Sequence, residues 1–213
     1  MEEDSMDITT KRLAQVRYIP MIKTVGLDQV YQLGRALLDG GLPAANVSQQ
    51  TDEGLEILRI LASDFPDIVI GAGNVQTEGE ARNAIEAGAQ FIFSPVFDHG
   101  IISLCQQQGT AIYPVTTEGI LAVEAELKVL GFYPVDRLGG LGAINHLADL
   151  FGLKFIVAGG LHEQTVNTYL ANRHVIAATG SWMIDPMQVA SDQWTLVIKS
   201  LRRTAALAEQ LPS

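Results

Sequence analysis

The sequence predicts an α/β chain folded as one (β/α)8 TIM barrel with a short N-terminal helix, on three observations. Eight short apolar runs, bounded by glycine, proline or polar turn residues, recur at near-regular intervals along the 213 residues. A helical pattern follows each run. The runs are apolar on both faces instead of alternating, as strands must be in a parallel sheet wrapped by helices. A doubly wound open sheet is the runner-up arrangement. No linker, low-complexity tract or charge block divides residues 1–213, so a single domain is expected.

Taken in order, Ser5 to Leu13 reads as a short amphipathic helix and Val16 to Lys23 as the first strand. Met1 to Asp4 reads as a frayed end or a tag remnant. Helix Leu27 to Leu38 stops at Gly40 and Gly41. Strand two is Ala44 to Val47, and Thr51 is the expected N-cap of helix Asp52 to Ser63. Strand three, Ile68 to Ala72, leads to helix Glu78 to Ala87 and its stop, Gly88. Strand four is Phe91 to Ser94, followed by helix Gly100 to Gln108, for which Asp98 is placed as a cap. Strand five, Ala111 to Val115, precedes helix Thr117 to about Lys128, then strand six, Val129 to Tyr133, and helix Gly142 to Leu150. Strand seven, Lys154 to Ala158, helix Gln164 to Leu170, strand eight, Val175 to Thr179, and a helix from about Asp192 to Leu211 complete the chain.

Composition narrows the function. A net charge of −10 and no run of Lys or Arg argue against nucleic acid or an anionic membrane as partner. The start, MEEDSMDITTKRL, lacks the apolar core of a signal peptide, and no apolar run has the length of a bilayer span, so a cytoplasmic protein is expected. Cys105 is the single cysteine, which excludes an internal disulfide and suits a reducing compartment.

In such a barrel, chemistry sits at the C-terminal ends of the strands. Gly159-Gly160 after strand seven and Gly180-Ser181 after strand eight place small residues and backbone N–H groups where barrels commonly hold a phosphate. Ordinary glycine turns are the alternative. Ionisable groups are sparse at the strand ends, where Asn46, Gln50, Asn74 and Gly131 stand in place of the acids and bases an enzyme normally uses. Lys23 is the one amine there, either a nucleophile for a carbonyl or a lysine reaching solvent. Asp98, His99 and His162 are the right types for a metal, but their positions suit helix starts, so neither a metal nor another cofactor is expected.

The stretches GGLPAANVSQQT (Gly40 to Thr51), IGAGNV (Ile70 to Val75), EAGAQFIFSP (Glu86 to Pro95), FYPVDRLGG (Phe132 to Gly140), AGGLHEQTVNTYL (Ala158 to Leu170) and TGSWM (Thr179 to Met183) resemble, in order, the 2-keto-3-deoxy-6-phosphogluconate / 4-hydroxy-2-oxoglutarate aldolases. That resemblance implies a homotrimeric barrel that cleaves a 2-keto-4-hydroxy acid to pyruvate and an aldehyde through a lysine imine, without metal. It also implies a phosphate or carboxylate cradle at Gly159, Gly160, Gly180 and Ser181, a substrate-lining Pro95, and Tyr133 beside the imine. Measured against the same pattern, the acid/base glutamate is Asn46, the carboxylate-holding arginine is Gln50, the hydroxyl residue after GAG is Asn74, and the imine lysine is Gly131.

Three readings follow. A descendant without imine chemistry binds a small phosphorylated or dicarboxylic keto acid. A working lyase uses relocated groups, Lys23 as amine, Tyr133 or Glu118 as proton shuttle and Arg137 for the carboxylate. A structural protein keeps its assembly contacts and a vestigial mouth.

Overall fold

The computed structural model describes residues 6–211. The expectations for Met1 to Ser5 lie outside the described residues. Helix α1 (Ile8–Val16) precedes the strands β1 (Tyr18–Ile22), β2 (Ala44–Ser48), β3 (Val69–Gly73), β4 (Phe91–Ser94), β5 (Ala111–Pro114), β6 (Val129–Phe132), β7 (Lys154–Ala158) and β8 (Val175–Gly180). The helices between them are α2 (Val30–Asp39), α3 (Gly54–Asp64), α4 (Glu78–Glu86), α5 (His99–Gln108), α6 (Gly119–Glu124), α7 (Gly140–Phe151) and α8 (Glu163–Leu170). Helices α9 (Pro186–Ala190) and α10 (Trp194–Ala208) follow the last strand.

All strand pairs are parallel, and their order is β5-β4-β3-β2-β1-β8-β7-β6. This is a cyclic order, each strand beside its sequence neighbours, whereas a doubly wound sheet reverses direction at a switch point. The barrel is therefore the observed fold. Its closure has a weak place, because β5 and β6 meet through a single isolated bridge, Val115 to Gly131, instead of a ladder.

Two apolar layers hold the structure. One lies between the sheet and the helices, with Leu33, Leu37, Leu58, Leu61, Phe132 and Phe155 fully buried in it. The other fills the barrel interior, where Ile19, Ala44, Val69, Phe91, Phe93, Tyr113, Val129 and Ile156 meet Leu13 of α1. Two glycines make room for the large rings of β4. A β-carbon at Gly71 would stand 2.4 Å from the Phe91 ring, and one at Gly131 would stand 2.9 Å from Cζ of Phe93 and 2.9 Å from the Tyr113 carbonyl oxygen. A lysine-sized side chain at 131 and the Phe93 ring compete for one space.

Element boundaries depart from expectation where local hydrogen bonding differs. Thr51 does not cap α3; its hydroxyl donates to the Ser48 carbonyl at 3.2 Å, within the turn, and the helix starts later at Gly54. Helix α6 is shorter than expected because Glu126 takes a left-handed conformation, φ 58°, and the Leu127 N–H closes back on the Ala122 carbonyl at 2.8 Å. The segment after β8 holds a short 3-10 turn, Ser181–Met183, and α9, whose N-cap Asp185 accepts from the Met187 N–H at 2.9 Å with Pro186 opening the helix. Asp98 does cap α5, accepting from the Ile101 N–H at 2.9 Å.

Helix α1 covers the N-terminal end of the barrel. There the Thr10 hydroxyl donates to Asp7 at 2.6 Å and lies 2.8 Å from the Tyr113 hydroxyl, so Tyr113 is the donor of that second bond. Burial pushes the Tyr113 hydroxyl above the ordinary tyrosine range, the Thr10 bond pulling the other way, and burial pushes the Cys105 thiol up to about 12. Both groups hold their protons more tightly folded than unfolded. Their contribution is complete below the unfolded values and is lost as pH rises through the folded ones. Stability is expected to fall from about pH 9 upward, given unfolded values near 8.5 for Cys and 10 for Tyr. Tyr113→Phe should flatten that loss above about pH 10 while lowering stability at neutral pH by about 1 kcal/mol. Urea unfolding across pH reads both effects; an unchanged alkaline slope in Tyr113→Phe would show that this hydroxyl carries no linkage.

Candidate ligand-binding site

The C-terminal mouth of the barrel opens on a cavity of about 200 Å³. Strands β7 and β8 supply one side of it, through Ala158, Gly159, Gly160, Leu161, Thr179, Gly180, Ser181 and Trp182. Strand β1 adds Met21 and Lys23, β3 leads to Asn74, β4 adds Phe93, and Tyr133 follows β6. Gly159 and Gly160 both have left-handed backbones, φ 74° and 68°, which few side-chain-bearing residues adopt. A β-carbon at Gly159 would also meet the Tyr133 ring at 2.8 Å, and one at Gly180 would meet the Trp182 ring at 1.7 Å. Two aromatic rings therefore lie against glycine backbone at the two strand ends.

Of the positions singled out from the sequence, Lys23, Asn74, Tyr133, Gly159, Gly160, Gly180 and Ser181 meet around this cavity. Asn46, Gln50, Pro95 and Gly131 are not on its wall. Gly131, expected to face the ligand, is buried, with Phe93 against it. Asn46 is fully buried, and its Nδ2 donates to the hydroxyl of the wall residue Thr179 at 3.3 Å. Its Oδ1 packs toward Gly73 and has no hydrogen-bond partner among the described residues. Gln50 is exposed on the loop after β2, and Pro95 is half-buried after β4. Lys23 lines the cavity but is exposed.

Asn74 has φ 60°, a backbone that asparagine tolerates better than most residues, and its Nδ2 donates to the Ser48 hydroxyl at 3.0 Å. Met21, Phe93, Leu161 and Trp182 were not identified from sequence as wall residues. A signal for Phe93 existed: FIFS places Phe91 and Phe93 on one strand face, inward, opposite glycines.

The cavity wall offers an ammonium, an amide, hydroxyls and backbone groups, and among the described residues that line it there is no carboxylate, imidazole or thiol. Asp136 stands just outside, where its carboxyl carbon would lie 2.9 Å from a β-carbon at Gly160. Asp98, His99 and His162 stay apart: Asp98 caps α5, the His99 ring stacks edge-on with Phe97 at 5.5 Å, and His162 starts α8. Such a wall suits holding an anion better than moving protons.

Residues 9–200 match the family of KDPG and KHG aldolases. The chain belongs to this aldolase family. The 2-dehydro-3-deoxy-phosphogluconate aldolase of Treponema pallidum is 31% identical over 196 residues, 90% of this chain and 93% of that protein. The KHG/KDPG aldolase of Escherichia coli is 26% identical over 188 residues, 86% of this chain and 88% of that protein. Among solved structures, the KDPG aldolase of Legionella pneumophila, captured with pyruvate as a covalent carbinolamine, superposes with a TM-score of 0.85 at 25% identity, covering 92% of this chain and 98% of that one. The eight-stranded barrel read from the apolar runs is thus the barrel of the KDPG and KHG aldolases, and the cavity lies at its C-terminal mouth. Among the described residues, no helix is long and apolar enough to cross a membrane.

Proposed function

We propose that this chain is a diverged KDPG/KHG aldolase-family barrel that holds a small phosphorylated or dicarboxylic keto acid at its mouth and does not cleave it through an imine. The observation that carries this reading is the Phe93 ring resting on Gly131, with the glycine itself excluded from the cavity wall. By the family resemblance, position 131 is the seat of the imine lysine. Class I aldol chemistry needs an amine to form the iminium electron sink, a base to move protons and a cation for the carboxylate. Asn46 and Gln50 stand at the other two positions, and neither lines the cavity.

The working-lyase reading draws support from Lys23, which does reach the cavity together with Tyr133. The partners it needs are elsewhere: Glu118 and Arg137 are both exposed and off the wall. A vestigial mouth is less well supported, because the mouth is open. The trimeric assembly implied by the resemblance and the cytoplasmic setting expected from composition belong to the preferred reading.

The anion cradle is tested by thermal unfolding with inorganic phosphate. A ligand that binds the folded state raises its stability by RT ln(1 + [L]/Kd), about 2.7 kcal/mol at a hundredfold excess over Kd. A saturable rise is expected, and a larger one in Asp136→Asn, which removes the negative charge beside Gly160. No shift in either protein would sink the ligand-binding reading.

A further inference from the structure

We propose that the Thr179 hydroxyl reads the keto oxygen of the bound acid, and that Asn46, which cannot touch a ligand, is the positioning residue that turns this hydroxyl toward it. The inference rests on the keto-acid reading above and adds the group by which the keto function is recognised.

The wall residues that lie within strands form the inner part of the mouth: Met21 of β1, Phe93 of β4, Ala158 of β7, and Thr179 and Gly180 of β8. The other wall residues, Lys23 and Asn74 among them, follow strand ends. Thr179 therefore carries the one polar side chain among the strand-borne wall residues. Besides its anionic ends, a keto acid has one uncharged acceptor, the keto oxygen. A single hydroxyl donor matches that oxygen. An anionic end needs more than one hydroxyl, and the wall's ammonium, Lys23, lies beyond the end of β1.

Asn46 and Thr179 stand on β2 and β8, the two neighbours of β1. Asn46 is fully buried and off the cavity wall. Its Nδ2 donates to Thr179 Oγ1 at 3.3 Å, and that hydroxyl has no second partner among the described residues. Because Oγ1 accepts from the amide, the hydroxyl hydrogen is left for another acceptor. The cavity that Thr179 lines is where such an acceptor arrives. The Asn46 Oδ1, in contrast, is buried without a donor beside Gly73, where a β-carbon would stand 2.4 Å from it. An unpaired buried carbonyl lowers stability. The fold gains little from this amide, and the oriented hydroxyl is what it provides.

Calorimetric titration of the full chain with 2-oxoglutarate and with glutarate, which has a methylene in place of the keto group, tests this. 2-Oxoglutarate is expected to bind about 3- to 10-fold more tightly, the effect of one neutral hydrogen bond. Thr179→Val, nearly unchanged in shape, should bring the two affinities together, and Thr179→Ser should restore the difference. Asn46→Ala should erase most of the difference while Tm stays level or rises, because the unpaired carbonyl leaves with the side chain. Added to Thr179→Val, it should change the ratio no further. Equal affinities in the parent chain would mean that Thr179 gives its hydrogen to Asn46, and would overturn the inference with the keto-acid reading intact. A preference that survives Thr179→Val, or one that survives Asn46→Ala, overturns it as well. Binding of neither acid removes the keto-acid reading and this inference together.

Discussion

Placing a side chain at Gly131 is expected to destabilise the protein strongly. Even the β-carbon of Gly131→Ala would stand 2.9 Å from Cζ of Phe93 and 2.9 Å from the Tyr113 carbonyl oxygen. The ring can tilt; the carbonyl is β5 backbone and cannot easily retreat. Position 131 is also the bridge through which β5 and β6 close the barrel, so a shift there opens the seam. Overpacking of this kind costs about 1–3 kcal/mol, and Gly131→Ala should fall near the upper end of it. Gly131→Lys adds a buried ammonium without a partner and should lose several kcal/mol more. In a chain of this size each kcal/mol lowers Tm by about 2–4 °C, so the lysine variant should melt well over 10 °C below the parent. Combining Gly131→Ala with Phe93→Val should recover about 1 kcal/mol, because the ring contact is relieved and the carbonyl contact is not. Urea unfolding of the two single variants and the double variant reads this coupling; a neutral Gly131→Ala would show that the crowding is not real. The corollary is that a lysine placed at 131 alone is expected to give no aldolase activity.

The fold was legible because its cause is local and repeated. Strands such as Phe91–Ser94 and Lys154–Ala158 have the expected boundaries, being apolar runs closed by strong turn residues. Boundaries failed where a single side chain chose between two bonds. Thr51 was a reasonable cap, but its hydroxyl found the Ser48 carbonyl first. Glu126 ended α6 early by entering a conformation that its residue type does not announce. Helix α9 was not expected from the sequence, although Asp185 with Pro186, an N-cap followed by proline, carries its start signal.

At the site, the paired glycines of β7 and β8 could be placed from spacing, because they need only follow a strand end. The floor could not. Whether Gly131 faces a ligand depends on which neighbour grows into the space it leaves, and Phe93 is about forty positions away in sequence. Inward residues of a barrel are chosen jointly across strands. A glycine is read correctly when the large residue it accommodates is read with it, as Phe91 with Gly71 and Phe93 with Gly131.

The second large effect concerns the chemistry itself. An imine needs an amine within reach of the bound carbonyl, and this chain has five lysines, Lys11, Lys23, Lys128, Lys154 and Lys199. Lys154 opens β7 at the far end of the barrel and donates to the Arg173 carbonyl at 3.0 Å. Lys128 immediately precedes β6, at the end of that strand opposite the mouth, Lys11 is on α1, and Lys199 is on α10. That leaves Lys23, which is exposed and has no carboxylate or imidazole beside it on the wall to move protons. Loss of a positioned proton shuttle alone lowers a rate by about 10² to 10⁴. Without the covalent sink the route is closed. Incubation with pyruvate and borohydride, read by intact mass and peptide mapping, measures this directly. No lysine is expected to carry the reduced pyruvate adduct; a stoichiometric adduct mapped to Lys23, together with retro-aldol turnover lost in Lys23→Met, would contradict a barrel that has given up imine chemistry.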